Sequence, residues 1–313
     1  MKIIDTILSS SYFAERPPVL VDIGASGEIN SKWNLISSYS VCMAFDGDDR
    51  EFQVREENGK NFRRLLTINR ILTSEKVSNS DFYLTKSPFC SSLLEPDMPR
   101  LSPWIFKDLF EVKSIKRMPG LTLEEALVEA GIDYIDWFKS DTQGTDLRLF
   151  RTMPGHLKDN VLAAEFEPGI LDAYKGEDKL HQIMKEMEGH SFWLSTMIVK
   201  GTQRISAENA SQLGAYITSK IIKTSPGWAE ICYLRNPEGL SSRQLLLLYI
   251  FAILERQLGF ALEICEYGLR EFPEPIWFEC KRSISRKIRL TRLKFPVIMA
   301  YKKIAKIFAR NHD

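Results

Sequence analysis

Val19-Leu20-Val21-Asp22-Ile23-Gly24-Ala25-Ser26-Gly27 is the stretch that decides the fold. An almost wholly apolar run ending in glycine reads as a strand buried on both faces of a parallel sheet, and ligands of such sheets collect at the C-terminal edge where this run stops. A second run, Tyr39-Ser40-Val41-Cys42-Met43-Ala44-Phe45, ends in Asp46-Gly47-Asp48-Asp49. The residues between them, around 33–38, are expected to form a crossover helix, which makes the unit βαβ.

The alternation continues along the chain. Residues 50–79 are polar and read loosely as a helix and a turn before a short strand at 81–85. A strand is expected near 112–117, and Thr122-x-x-Glu125 is a capping box that starts a helix stopped by Gly131. Strands follow at 132–141 and 161–166, and a helix with Leu180, Ile183, Met184 and Met187 on one face precedes Gly189. Strands near 192–199 and 228–234 complete the series. The fold class is therefore α/β, a Rossmann-like, mainly parallel sheet with helices on both faces. Beyond it, Ser241-x-x-Gln244 caps an apolar helix to Gln257, Gly259 separates it from a second helix ending near Phe272, and a basic tail follows. The division read from this change in composition is 1–240 and 241–313.

Composition excludes several classes. Lys and Arg total 42 against 41 Asp and Glu, a net charge of +1, so there is no global basic face and no nucleic-acid partner is expected. The five cysteines are widely spaced with no Cys-x-x-Cys pair, which fits a reducing cytoplasm. Residues 1–11 carry Asp5 within their apolar stretch and do not read as a signal peptide, and the longest apolar run, 245–254, is about half of what a bilayer span needs. In the tail, Val297, Tyr301, Ile304 and Phe308 share a helical face, with Lys302, Lys303, Lys306 and Arg310 on others. Two readings follow: a helix packed on the protein or on a second copy in a homodimer, which is preferred, and peripheral contact with the anionic inner face of a membrane through residues 281–313.

The chemistry-bearing constellation is Asp22 within the first strand, the turn of Gly24, Ala25, Ser26 and Gly27, and Asp46-Gly47 at the end of the second strand, with Asp46 24 residues after Asp22. Glycines let the backbone approach a nucleoside, and a carboxylate at the end of the second strand accepts hydrogen bonds from ribose hydroxyls. The full Gly-x-Gly-x-x-Gly is missing, and Glu28 stands where a pyrophosphate would meet a helix N-terminus. A ligand with an ammonium group and no phosphate, S-adenosylmethionine, is therefore favoured over NAD. The second constellation is Lys139-Ser140-Asp141-Thr142-Gln143-Gly144, which places Asp141 at the sheet edge. Methyl transfer is an in-line displacement that mainly needs alignment, with a base to take the proton. Asp141 and Glu165 are the candidate bases, Glu167 reads as a strand-end carboxylate, and His190 is the histidine to test. No three residues have zinc-ligand spacing, so no metal is assigned, and metal dependence through the carboxylates stays open.

Val21-Asp22-Ile23-Gly24-Ala25, Ala44-Phe45-Asp46-Gly47-Asp48, Phe138-Lys139-Ser140-Asp141-Thr142-Gln143-Gly144 and Ala164-Glu165-Phe166-Glu167-Pro168 occur in this order. In that sequence of blocks the chain resembles the FkbM-type methyltransferases over roughly residues 17–200. The resemblance implies a class I methyltransferase fold, S-adenosylmethionine as methyl donor, and a hydroxyl of a saccharide, glycolipid or related small molecule as acceptor. It also implies that Ser91 or Ser92, in the loop Ser87-Pro88-Phe89-Cys90-Ser91-Ser92-Leu93, approaches the adenosine. Here Ser26-Gly27-Glu28 replaces the family's Asn-x-Gly, Asp46 replaces Glu, and Gln143 replaces Glu. Gln143 is limited to hydrogen bonding, which shifts the expected base to Asp141. Two alternatives remain: a methyltransferase fold kept as a binding scaffold without turnover, and a nucleotide-dependent oxidoreductase.

Overall fold

The computed structural model describes residues 2–25, 29–48, 50 and 61–291. Ser26, Gly27 and Glu28 of the first turn, and the tail beyond residue 291, lie outside the described residues. The chain divides into two compact units, residues 11–236 and residues 1–10 with 237–313.

The larger unit is a mixed α/β fold around a seven-stranded sheet: β1 (Val19–Ile23), β2 (Val41–Phe45), β3 (Arg64–Ile68), β4 (Trp137–Ser140), β5 (Ala163–Phe166), β6 (Phe192–Gln203) and β7 (Thr224–Arg235). Their spatial order is β3-β2-β1-β4-β5-β7-β6. The first five are parallel to one another, and β7 inserts antiparallel to both β5 and β6. All residues of β1, β2 and β5 are buried, as the unbroken apolar runs predict.

Strand periodicity sorts the two faces. Val21, Ile23, Met43, Phe45, Phe138, Ala164 and Phe166 join one core, covered by the helices Leu123–Ala130, Asp146–Thr152 and Leu180–Met187. Phe138, Phe150 and Phe166 meet there with ring centroids 5.5–5.9 Å apart, edge-on or tilted, geometries worth ~0.5–1.5 kcal/mol per pair beyond burial. The alternate residues carry a polar row: Asp22 pairs in register with Lys139, and Lys139 with Glu165. On the same unit Trp33 meets Trp137 edge-on at 5.8 Å.

Three local expectations are corrected. The described part of the link from β1 to β2 forms two 3-10 turns, Ser31–Leu35 and Ser37–Tyr39, where the Asn30 side chain accepts from the Lys32 N–H and the Ser37 and Ser40 hydroxyls donate to the Asn34 and Ile36 carbonyls, local bonds that compete with an α-helix. Within 50–79, read loosely as a helix and a turn, residues 51–60 lie outside the described residues, and the rest includes β3, whose Leu65, Leu66 and Ile68 pair parallel with β2, and the short strand Ile71–Leu72. Residues 112–118 do form a strand, but it pairs antiparallel with Ser80–Thr85 in a separate ribbon rather than joining the sheet. The expected capping box at Thr122 is present, and Gly131 closes that helix in the left-handed conformation, φ 70°.

The smaller unit is helical. The helix Ser242–Leu254 starts at the expected Ser241 capping box, and Leu258–Glu271 follows it. Gly259 lies inside the second helix rather than between the two; the break falls at 255–257, where Arg256 adopts φ 60°. No helix among the described residues is long and apolar enough to cross a membrane.

Candidate functional site

The strand ends of β1, β2 and β4 converge on a cleft of about 620 Å³. The chain leaves β1 through Gly24, whose φ of +80° belongs to the left-handed region. A Cβ on Gly24 would lie 1.9 Å from the Asp141 carbonyl oxygen, so only glycine lets the β1 and β4 ends run this close. The Phe45 carbonyl accepts from the backbone N–H groups of both Gly24 (2.9 Å) and Ala25 (3.0 Å), and the Asp141 N–H donates to the Ile23 carbonyl at 2.9 Å. Gly24, Asp46, Gly47, Ser91, Asp141 and Gln143, all expected from sequence, line this cleft together.

Its electrostatics are acidic. Asp46, Asp48 and Asp141 contribute carboxyl groups, and among the described residues the lining cation is Arg70, half-exposed and paired with Glu129 at 3.3 Å. Burial pushes the Asp46 carboxyl up to about 6, with Asp48, Asp141 and Asp22 adding repulsion against a hydrogen bond from the Asp48 N–H. Burial would raise Asp48 too, but the Arg50 guanidinium, donating at 2.5 and 2.9 Å, and the Ser91 hydroxyl at 2.9 Å bring it below the usual range. Ser91 thereby also accepts from Arg50, so it fixes the cleft wall. Ser92 is buried; its hydroxyl donates to the Gln143 carbonyl at 2.8 Å and it does not reach the lining.

Asp22 is fully buried and holds Lys139 Nζ at 2.5 Å, so it orders the sheet beneath the cleft instead of meeting a ligand. Burial opposes the Lys139 charge, yet Asp22 and Asp141 raise its pKa above the ordinary lysine value. Below the turn, Asp146 accepts from Ser140 Oγ (2.5 Å), Thr142 N (2.9 Å) and Thr142 Oγ1 (2.8 Å), which shapes the loop after β4. Burial, with Asp141 nearby, pushes its carboxyl to about 7.

Two expected bases are placed elsewhere. Glu165 sits within β5, facing the polar row, and forms an ion pair with Lys32. His190 Nε2 donates to Glu186 Oε1 at 3.4 Å, and its ring meets Phe150 edge-on. Neither lines either cleft at the strand ends. The residue that does is Glu167. Lys139 and Glu165 are register partners, so Asp141 and Glu167, each two positions further on, emerge side by side on the same side of the sheet edge. They share a hydrogen bond, and burial together with Asp141 pushes Glu167 up to about 9, Glu230 and Asp146 adding to the effect; burial raises Asp141 as well, against Lys139. Two buried carboxyls this close repel as a pair of anions, which favours a proton held between them.

Gln143, at φ 57°, donates from Nε2 to Asp141 Oδ1 at 2.7 Å and accepts from the Tyr174 hydroxyl at Oε1, 3.2 Å. The Tyr174 hydroxyl has one proton, which it shares between Gln143 Oε1 and the nearer Cys90 carbonyl at 2.8 Å. Asp141 and Gln143, with Phe89, line a second cleft as well, next to the first. Tyr174, Trp228 and Glu167 were not singled out for it by sequence; the strand register of Glu167 was the signal that could have found it.

No family model matches the chain, and no curated protein matches it. Among solved structures, an uncharacterized protein from Listeria monocytogenes serotype 4b is similar over 93% of this chain and 97% of its own, with 10% sequence identity and a TM-score of 0.33.

Proposed function

We propose that the protein is a class I methyltransferase that binds S-adenosylmethionine in the cleft at Gly24 and Asp46 and transfers its methyl group to a hydroxyl of a small molecule or glycan. The observation that carries this reading is the charge of that cleft. A site floored by glycine backbone and walled by Asp46 and Asp141, with Asp48 held by Arg50 and the lining Arg70 paired with Glu129, suits a nucleoside bearing a sulfonium and an ammonium better than a pyrophosphate, which needs backbone N–H groups and uncommitted cations. The strand order supports it. The dinucleotide-binding sheet runs 3-2-1-4-5-6, and the order here, 3-2-1-4-5-7-6, departs from it by an inserted antiparallel seventh strand, which weakens the oxidoreductase alternative.

In this reading the Asp46 carboxylate accepts the ribose hydroxyls, and the Gly24 turn admits the nucleoside against bare backbone. The bound donor supplies a methyl group on a sulfonium, activated for displacement. The protein's own contribution is alignment of the acceptor oxygen behind that methyl and removal of its proton, for which Asp141, reaching both clefts, is positioned. Titration calorimetry with S-adenosylmethionine, its demethylated product and NAD tests the reading. Binding of the first two without NAD is the expected result; tight NAD binding with no response to the others refutes it.

A further inference from the structure

The cleft beyond Asp141 is different in character from the first. It spans about 1070 Å³, open to solvent on one side, and is lined by the rings of Phe89, Phe106, Phe110, Tyr174 and Trp228. Phe106 and Trp228 lie parallel within 9°, centroids 6.4 Å apart, while Phe110 braces both Phe106 and Tyr174 edge-on at 5.0 and 5.5 Å. The result is an aromatic wall with fixed faces. Phe89, at the rim shared with the first cleft, is 57% exposed, so much of its ring surface remains open.

The polar groups are as selective as the rings. Asp141, Glu167, Gln143 and Glu177 line the cleft. Glu177 Oε1 accepts from the backbone of Ala173 (2.6 Å) and Tyr174 (3.3 Å) and from Lys179 Nζ (2.7 Å), which makes it a brace for the 173–179 loop. Asp141 and Glu167 stay at the junction. Among the described residues, no Lys, Arg or His lines the cleft. An anionic ligand would lose its hydration here against carboxyls, without a cation to replace it. An uncharged ring would stack its apolar face on the aromatic wall and direct its hydroxyls to carboxyl and amide groups.

Resting on the methyltransferase reading, we propose that this second cleft binds the methyl acceptor as an uncharged, hydroxyl-bearing ring, and that the Asp141–Glu167 carboxyl pair receives the proton its hydroxyl releases. The geometry accounts for each part of the step. The acceptor oxygen forms its bond to the methyl carbon as the carbon–sulfur bond breaks and its electron pair returns to sulfur, leaving a neutral thioether. The O–H electron pair stays on oxygen, and the proton passes to the ionised member of the pair, which goes from one shared proton to two before releasing one to water. Gln143 holds Asp141 through Oδ1, and Tyr174 holds Gln143, so the carboxyl is oriented without being neutralised by a cation from the cleft.

Saturation-transfer NMR and kinetics test this on the full chain. With S-adenosylhomocysteine present, p-nitrophenyl glycosides of glucose, galactose and mannose are compared with p-nitrophenyl glucuronide and p-nitrophenyl phosphate. At least one neutral glycoside is expected to show transfer that W228A reduces severalfold, with none to the two anions. Equal or stronger transfer to the anions, or transfer insensitive to W228A, overturns the proposed selectivity. With labelled S-adenosylmethionine and the glycoside that binds, D141N, which removes the ionised member of the pair, is expected to lower kcat at least 30-fold while KM for the glycoside stays within threefold. A kcat within threefold of wild type overturns the role of the pair. Failure of the wild type to bind S-adenosylmethionine would instead sink the methyltransferase reading, and the glycoside comparison does not depend on turnover.

Discussion

Asp46 and Gly24 show how single residues set the ligand chemistry at this sheet edge. Asp46 is pushed up to about 6 by burial and by neighbouring carboxylates, so near neutral pH it is ionised but poorly compensated, a state that hydroxyl donors relieve. Affinity for S-adenosylmethionine is expected to rise with pH up to about 6 and then level off, falling by about tenfold for each pH unit well below that point. Asp46→Ala should weaken binding by ~1–3 kcal/mol and flatten this dependence; calorimetry from pH 5 to 8 checks both, and unchanged affinity removes the ribose role. Gly24→Ala meets two penalties, a left-handed φ costing an L-residue ~1–2 kcal/mol and a 1.9 Å approach to the Asp141 carbonyl. Urea unfolding should show a loss above that figure, and a stability equal to wild type would mean that the β1 and β4 ends can separate.

At the scale of elements, parallel register does what no single residue could. Asp22, Lys139 and Glu165 lie in line across β1, β4 and β5, which consumes Asp22 in an ion pair and turns Glu165 toward the sheet face. The same register delivers Asp141 and Glu167 together to the edge. A carboxylate's value as a base therefore depended on strand length: β5 ends at Phe166, and only the residue after it reaches the cleft. Caps, in contrast, were legible directly. The Thr122 hydroxyl accepts from the Glu125 N–H at 3.2 Å, and Glu125 Oε2 accepts from the Thr122 N–H at 3.1 Å. Thr122→Ala is expected to cost ~0.5–2 kcal/mol in chemical denaturation with an unchanged slope, because one helix end loses a partner while the core is untouched. An effect below ~0.3 kcal/mol would mean that solvent replaces the cap.

For the whole molecule, an accumulation of raised carboxyls at one sheet edge sets the response to pH. The folded state holds protons on Asp46 up to about 6, on Asp146 up to about 7 and on Glu167 up to about 9, against ordinary values of 3.8, 3.8 and 4.5. Acids raised in this way contribute stability that is complete below the unfolded-state values and lost as pH rises through the folded ones. The melting temperature is therefore expected to fall between pH 5 and 9 for these groups, and Glu167→Gln should flatten the part above pH 7, becoming more stable than wild type at pH 9. A Glu167→Gln curve parallel to wild type would show that the shared proton is absent. A ligand that binds the folded state alone adds about 2.7 kcal/mol at a hundred times its Kd, so S-adenosylmethionine should raise the melting temperature across this range.

The sequence by itself determined most of the strands, the two capping boxes, and six of the residues that meet at the first cleft, Gly24, Asp46, Gly47, Ser91, Asp141 and Gln143, while Asp22, Ala25 and Ser92 stay out of its lining, because strand ends, glycine turns and caps are encoded in short windows of chain. Tertiary structure alone decided that β3 pairs with β2 within a polar stretch, that residues 80–85 and 112–118 form a ribbon of their own, and that Glu167 rather than Glu165 joins Asp141. It also assembled the aromatic cleft from residues as far apart as Phe89 and Trp228. These outcomes depend on register and on packing between distant segments, and a period-two alternation shows which residues share a face but not which neighbour a strand will choose or where along it the pairing stops.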